Sequence, residues 1–155
     1  MDFTLNEDQQ ALQETVRKFA VSELPEIALE IEKTAAPASH DLIKRYAEMG
    51  FLGVNLPSEL GGLGLSHLDA VLVLEEVAKI SPAVAFPIFE SCFGPTLAIA
   101  HFAPDELKQR IVPKVCAGEM IVAVSMSEPD AGTALTDLTT KVETNGDTVV
   151  VNGTK

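Results

Sequence analysis

Basic residues are scarce. Eleven Lys and Arg stand against 23 Asp and Glu, giving a formal net charge of −12. A nucleic-acid binder needs a basic face to displace counterions from phosphates, so nucleic-acid partners are excluded. Electrostatic attachment to an anionic membrane is excluded on the same ground. Cysteine is almost as scarce. Cys92 and Cys116 are the only two, with no CxxC pair, so neither a disulfide scaffold nor a zinc site is expected. Their apolar surroundings predict reduced thiols and a cytoplasmic location. The three histidines, His40, His67 and His101, lack metal-ligand spacing, and no metal is expected. Met1-Asp2-Phe3-Thr4 shows no basic leader and no apolar run, so no signal peptide is visible. A membrane-spanning run is lacking too. Residues 82–103 are apolar with Glu90 as their one charge, but Pro82, Pro87 and Pro95 interrupt them. A span needs about 20 residues of continuous helix, so this stretch reads as a broken, buried helical layer.

What remains is an ordinary globular composition. The 155 residues are 46% apolar and 22% charged, which argues against disorder and allows about one domain. The first 119 residues read as helical. Leu12, Val16, Phe19 and Ala20 form one helix face, opened by a capping box of Asn6 and Gln9. Pro25 is expected to bend or restart that helix. Ser39 caps a second helix with a face of Leu42, Ile43, Tyr46, Ala47 and Met49, ended by Gly50. Ser66 opens a third, with Leu68, Val71, Leu72, Leu74 and Val77, reaching about Ile80. A charged helix from Pro104 to Cys116 is expected to be cut by Pro113.

The character changes near Gly118. Residues 121–126 form a strand-length apolar run rich in β-branched residues. Thr139 to Thr144 and Asp147 to Val151 flank Asn145-Gly146, a strong hairpin signal that places the turn on those two residues. The expected fold class is therefore α+β: an all-α domain over 1–119, then the first strands of an antiparallel β-domain over 120–155. A second Asn-Gly at Asn152-Gly153 predicts a further strand beyond Lys155, so the chain reads as part of a longer polypeptide. As an isolated piece it is expected to keep its helices folded and its strands labile.

The densest polar cluster is Ser125-Met126-Ser127-Glu128-Pro129-Asp130-Ala131-Gly132-Thr133, where the apolar run ends. Gly132 lets a ligand approach the backbone closely, and Ser127 and Thr133 offer hydroxyl donors. An ordinary strand-to-turn exit would use the same residue types. Other candidates are weaker. Gly61-Gly62-Leu63-Gly64 lacks GxGxxG spacing and a Walker lysine, so a flexible connector is expected there. Glu75-Glu76 reads as a solvated helix edge. Glu90, alone in its apolar stretch, is expected to point to solvent.

Residues 127–133 resemble the Thr-Glu-Pro-x-Ala-Gly-Ser-Asp motif of the flavin-dependent acyl-CoA dehydrogenases. The likeness extends along the chain. Asn6 to Gln10 is similar to that family's opening helix, and Gly50 to Gly64 to its proline- and glycine-rich connector. Leu72 to Val77 is similar to the helix that follows, and Val150 to Lys155 to a Leu-Asn-Gly-x-Lys segment. The resemblance implies an N-terminal helical domain, a middle β-domain and a C-terminal helical bundle. It implies FAD as cofactor, acyl-CoA as substrate and an electron-transfer flavoprotein or similar acceptor. A homo-oligomer of the full-length chain, a dimer or tetramer, is also implied. The reaction would be α,β-desaturation with hydride transfer to flavin N5, in fatty acid metabolism. A non-catalytic partner subunit, or an oxidase or monooxygenase of the same fold, is the alternative. Carried over by position, Val124, Met126, Ser127, Gly132 and Thr133 would contact the flavin, and Thr133 the substrate as well. No catalytic residue is expected in this chain, because the family's base is a Glu of the C-terminal bundle. Asp130 stands where that motif usually has Gly, and Ala134 where it has Asp. The loop's conformation and charge are therefore expected to differ.

Overall fold

Four helices, the fourth opened by Ser81, begin where short polar side chains cap them. In the computed structural model, which describes residues 4–155, Asn6 accepts from the Gln9 amide at 2.8 Å while Gln9 Oε1 accepts from the Asn6 amide, closing the capping box of α1 (Glu7–Thr34). Met1, Asp2 and Phe3, part of the N-terminus read for a leader, lie outside the described residues. Ser39 caps α2 (His40–Glu48), and Ser66 caps α3 (His67–Ala78) in a second box with Asp69. Then follow α4 (Pro82–Cys92), α5 (Pro95–Phe102), α6 (Asp105–Cys116) and the hairpin β1 (Lys141–Asn145) and β2 (Thr148–Asn152). Short 3₁₀ turns lie at Phe51–Gly53, Ser58–Leu60 and Leu135–Asp137. The chain divides into two compact units after Ala123.

The first unit is helical. α1 lays Val16, Phe19, Ala20, Leu24 and Ala28 against the core, with α3 and α4 packed on it. Burying side chains the size of Val16, Phe19 and Leu24 stabilises by about 1.5–3 kcal/mol each. Phe19, Tyr46 and Phe51 meet with ring centroids 5.5–6.1 Å apart, and the buried Tyr46 hydroxyl donates to the Val84 carbonyl at 2.9 Å. A smaller cluster of Leu56, Leu60, Ala100 and Val112 joins α5 and α6 to the connector.

Several expectations are corrected here. Pro25 and Pro113 neither end nor restart their helices. Each removes one i to i−4 hydrogen bond, but the freed carbonyls belong to Val21 and Gln109, both exposed, where water can satisfy them. α3 turns Ala70, Val73 and Val77 inward and leaves Leu68 and Val71 half-exposed, because a helix apolar nearly all round does not announce its buried face. Pro82–Phe102 is apolar enough by length and composition to span a membrane. It folds as helices of 11 and 8 residues broken at Phe93 and Gly94, just before Pro95, whereas Pro87 lies inside α4 and does not interrupt it.

The glycine-rich connector is laced down rather than flexible. The Gly61, Gly62, Leu63, Gly64 and Leu65 amides all donate to main-chain carbonyls of residues 53–58. No donors remain there for a phosphate.

The second unit holds two strands where three were expected. Residues 121–126 pair with no strand among those described, although their composition is strand-like. Strand propensity acts through cross-strand neighbours, and these residues have none. The hairpin turn also sits one residue later than expected. Asn145 pairs with Thr148, leaving Gly146 and Asp147 as the loop. Only Gly146 has positive φ, at 60°, the pattern of a turn with glycine at its first central position. Both registers set Val142 opposite a valine, so valine matching does not choose between them.

Candidate functional site

The second unit places the expected flavin contacts on one short stretch. Pro129 and Asp130 form a tight turn in which Glu128 and Ala131 exchange main-chain hydrogen bonds of 2.9 and 3.1 Å. Proline fixes φ at the first central position, and Asp130 does not have positive φ, so this turn needs no glycine there. The departure at Asp130 is thereby accommodated. Around the turn, Val124, Met126, Ser127, Gly132 and Thr133 are all exposed. The Ser127 and Thr133 hydroxyls have no intrachain partner among the described residues. A side chain added at Gly132 would meet open space within 4 Å. These residues are thus free to receive a ligand with an apolar face and a polar edge.

One residue of the stretch has a different part. Glu128 is buried, and its carboxylate accepts from the Thr139 amide at 2.7 Å, the Thr139 hydroxyl at 2.8 Å and the Thr140 amide at 2.9 Å. Lys155 Nζ lies 3.1 Å away and also donates to the Met126 carbonyl at 2.8 Å. Thr140 and Thr139 together hold the Glu128 carboxyl far below the ordinary carboxylate range. Glu128 therefore ties the turn to the start of β1. Its position inside the Ser127–Thr133 motif was the only sequence signal of this.

In the first unit, two cavities open beside α4. The larger, about 410 Å³, is lined mainly by apolar side chains, among them Ile31, Ile43, Phe86, Pro87, Ile121 and Val122. The smaller, about 20 Å³, lies between Leu52, Ser91, Thr96 and Val115. Glu90 lines both. Its Oε2 is buried with no hydrogen-bond partner among the described residues, as is the Thr96 hydroxyl. The expectation that Glu90 points to solvent is corrected: the helix broken at Phe93 and Gly94 turns it into the wall.

Glu76 corrects a second expectation. Its side chain is 2% exposed, between Arg17 Nη2 at 3.0 Å and Lys79 Nζ at 2.8 Å. The Arg17 and Lys79 hydrogen bonds lower its pKa against the opposing effect of burial. Only Glu75 sits at the solvated edge. Cys92 and Cys116 are free thiols, both pushed up by burial, Cys116 to about 11. Among the described residues, no three His, Cys, Asp or Glu side chains come together as a metal site.

Residues 6–119 match the family described as acyl-CoA dehydrogenase, N-terminal domain. The chain belongs to the acyl-CoA dehydrogenase family. It is 35% identical over 152 residues to the mitochondrial isovaleryl-CoA dehydrogenase of Bos taurus, covering 97% of this chain and 36% of that protein. It is 33% identical over 153 residues to the 3-sulfinopropanoyl-CoA desulfinase of Advenella mimigardefordensis, covering 99% and 38%. Among solved structures, a glutaryl-coenzyme A dehydrogenase in complex with glutaryl-CoA superposes with a TM-score of 0.91 at 30% identity, covering 99% of this chain and 39% of that one. The chain therefore spans under two fifths of the length of these relatives.

Proposed function

We propose that this chain is the N-terminal part of an FAD-dependent acyl-CoA dehydrogenase that desaturates an acyl-CoA thioester between Cα and Cβ. The observation that carries the reading is the loop from Val124 to Thr133. Its expected ligand-facing side chains are exposed, and the Ser127 and Thr133 hydroxyls have no partner among the described residues, while the buried Glu128 carboxylate holds the loop. Val124 and Met126 would lie against the flavin's ring face, and Ser127 would donate to its polar edge. Gly132 would allow close approach, and Thr133 would donate to flavin and substrate. FAD, when bound, supplies the hydride acceptor. The apolar cavity of the first unit suits an acyl chain, its volume lying in the range of small-molecule sites. The base that takes the α-proton is expected from a C-terminal bundle, and electrons would pass to an electron-transfer flavoprotein or a similar acceptor. A homo-oligomeric assembly and a cytoplasmic location complete the proposal, the latter supported by the two free thiols.

The test is the full-length protein. It should purify with bound FAD and reduce an artificial acceptor when given an acyl-CoA ester. A colourless protein that binds no acyl-CoA would favour the non-catalytic partner reading. Ser127→Ala should weaken flavin retention about fivefold, the equivalent of one hydrogen bond of about 1 kcal/mol. An unchanged flavin spectrum and dissociation constant would remove Ser127 from the site. Thr133→Val should raise the acyl-CoA KM several-fold. A substrate titration superimposable on wild type would make Thr133 a structural residue.

A further inference from the structure

Glu90 is the one ionisable side chain in the lining of either cavity beside α4. Neither lining contains Lys, Arg or His to neutralise an anion. Its Oε2 has no hydrogen-bond partner among the described residues. Gly94 leaves room for that oxygen. A side chain there would come within 3.1 Å of Oε2 and 2.9 Å of the Glu90 carbonyl, so glycine leaves the carboxyl its place against the helix break. The wall of an otherwise apolar cavity therefore presents one unpaired hydrogen-bond acceptor.

Two of the related proteins are named for acyl groups with an anionic far end, glutaryl and 3-sulfinopropanoyl. A site for such a group needs a cation or several donors at that end. Here the wall carries the opposite provision. We propose that Glu90 is a specificity-determining residue that excludes acyl chains ending in carboxylate or sulfinate and admits uncharged ones. The inference rests on the reading of this cavity as an acyl-chain site. An anionic chain end set against this wall would give up water and meet an acceptor in place of a cation or donor, so rejection comes from burying the anion without a partner. An acyl chain ending in a hydroxyl would gain a partner in Oε2, and one ending in a methyl meets the apolar walls.

Pentanoyl-CoA and glutaryl-CoA isolate the effect, since both acyl groups have five carbons and differ at the far end in methyl against carboxylate. With the full-length flavoprotein, kcat/KM for pentanoyl-CoA should exceed that for glutaryl-CoA by at least about 100-fold. Glu90→Gln, equal in shape but uncharged, should cut that ratio by at least about tenfold. Calorimetric binding of the two esters should follow the same order in both proteins. Comparable kcat/KM values in wild type, or a ratio that Glu90→Gln leaves unmoved, would overturn the selectivity. If the variant does not fold, the wild-type ratio decides. Failure of wild type to bind or oxidise either ester would overturn the acyl-CoA reading itself, and this inference with it.

Discussion

Gly62→Ala should destabilise the helical unit by about 3 kcal/mol and lower its melting temperature by roughly 10 °C. A Cβ at Gly62 would collide with the Leu56 carbonyl group, which is backbone and has no rotamer by which to yield. The Leu56 carbonyl is itself engaged by the Gly64 amide at 2.9 Å, so moving it breaks the lacing of the connector. Gly53 packs on the same spot. A Cβ there would come 3.0 Å from Gly62 Cα and 2.9 Å from Cys116 Sγ, which joins the connector to α6. Gly64→Ala is the comparison that gives the first result its meaning. Gly64 has a φ of 65° but open surroundings, with nothing nearer than 3.8 Å to an added Cβ. Its substitution should cost about 1 kcal/mol from backbone strain alone. Equal melting shifts for the two variants would show that glycine is needed here for backbone freedom rather than for packing.

The helical unit was largely legible in sequence. Caps and periodicity are local signals, and Asn6, Ser39, Ser66 and Gly50 each stand where their chemistry places them. What escaped depends on partners far along the chain. Glu76 reads as half of an acidic pair until Arg17, 59 residues away, forms two hydrogen bonds to it. Residues 121–126 have a strand's composition and no strand beside them. Pro25 and Pro113 were over-read because the harm of a mid-helix proline depends on whether water reaches the freed carbonyl, which is a tertiary fact. Glu90 was under-read for a similar reason. Its direction follows from the break at Gly94 and from the cavity walls that α2 and residues 121–123 supply. Residues 127–133 stand out in the sequence as a motif, but residue type alone does not say that Ser127, Gly132 and Thr133 stay exposed while Glu128 and Ala131 are buried.

Glu128 combines both kinds of signal, and its removal should have the largest effect on the second unit. In the full-length protein, Glu128→Ala should lower flavin retention by tenfold or more and release the Thr139 and Thr140 amides to exchange. The substitution leaves two amides and a hydroxyl without their acceptor, and Lys155 without its counter-ion. Ser127 and Gly132 flank the anchored turn, so the loop would lose its shape without losing a single ligand-facing side chain. Glu128→Gln keeps one carbonyl oxygen as acceptor and should fall between wild type and alanine. The pH dependence has a definite sign. The folded carboxyl is held below its ordinary value of 4.5, so its contribution is fully present above about pH 4.5. That contribution is lost progressively as the pH falls below that point toward the folded value. The Thr139 and Thr140 amide resonances should therefore be constant from neutral pH down to about 5 and shift only in stronger acid. Glu128→Gln should abolish that acid transition, because no proton is left to bind. Amide resonances that titrate identically in wild type and Glu128→Gln would show that another group governs the loop. Unaltered flavin retention in Glu128→Ala would show that the loop keeps its shape without this anchor.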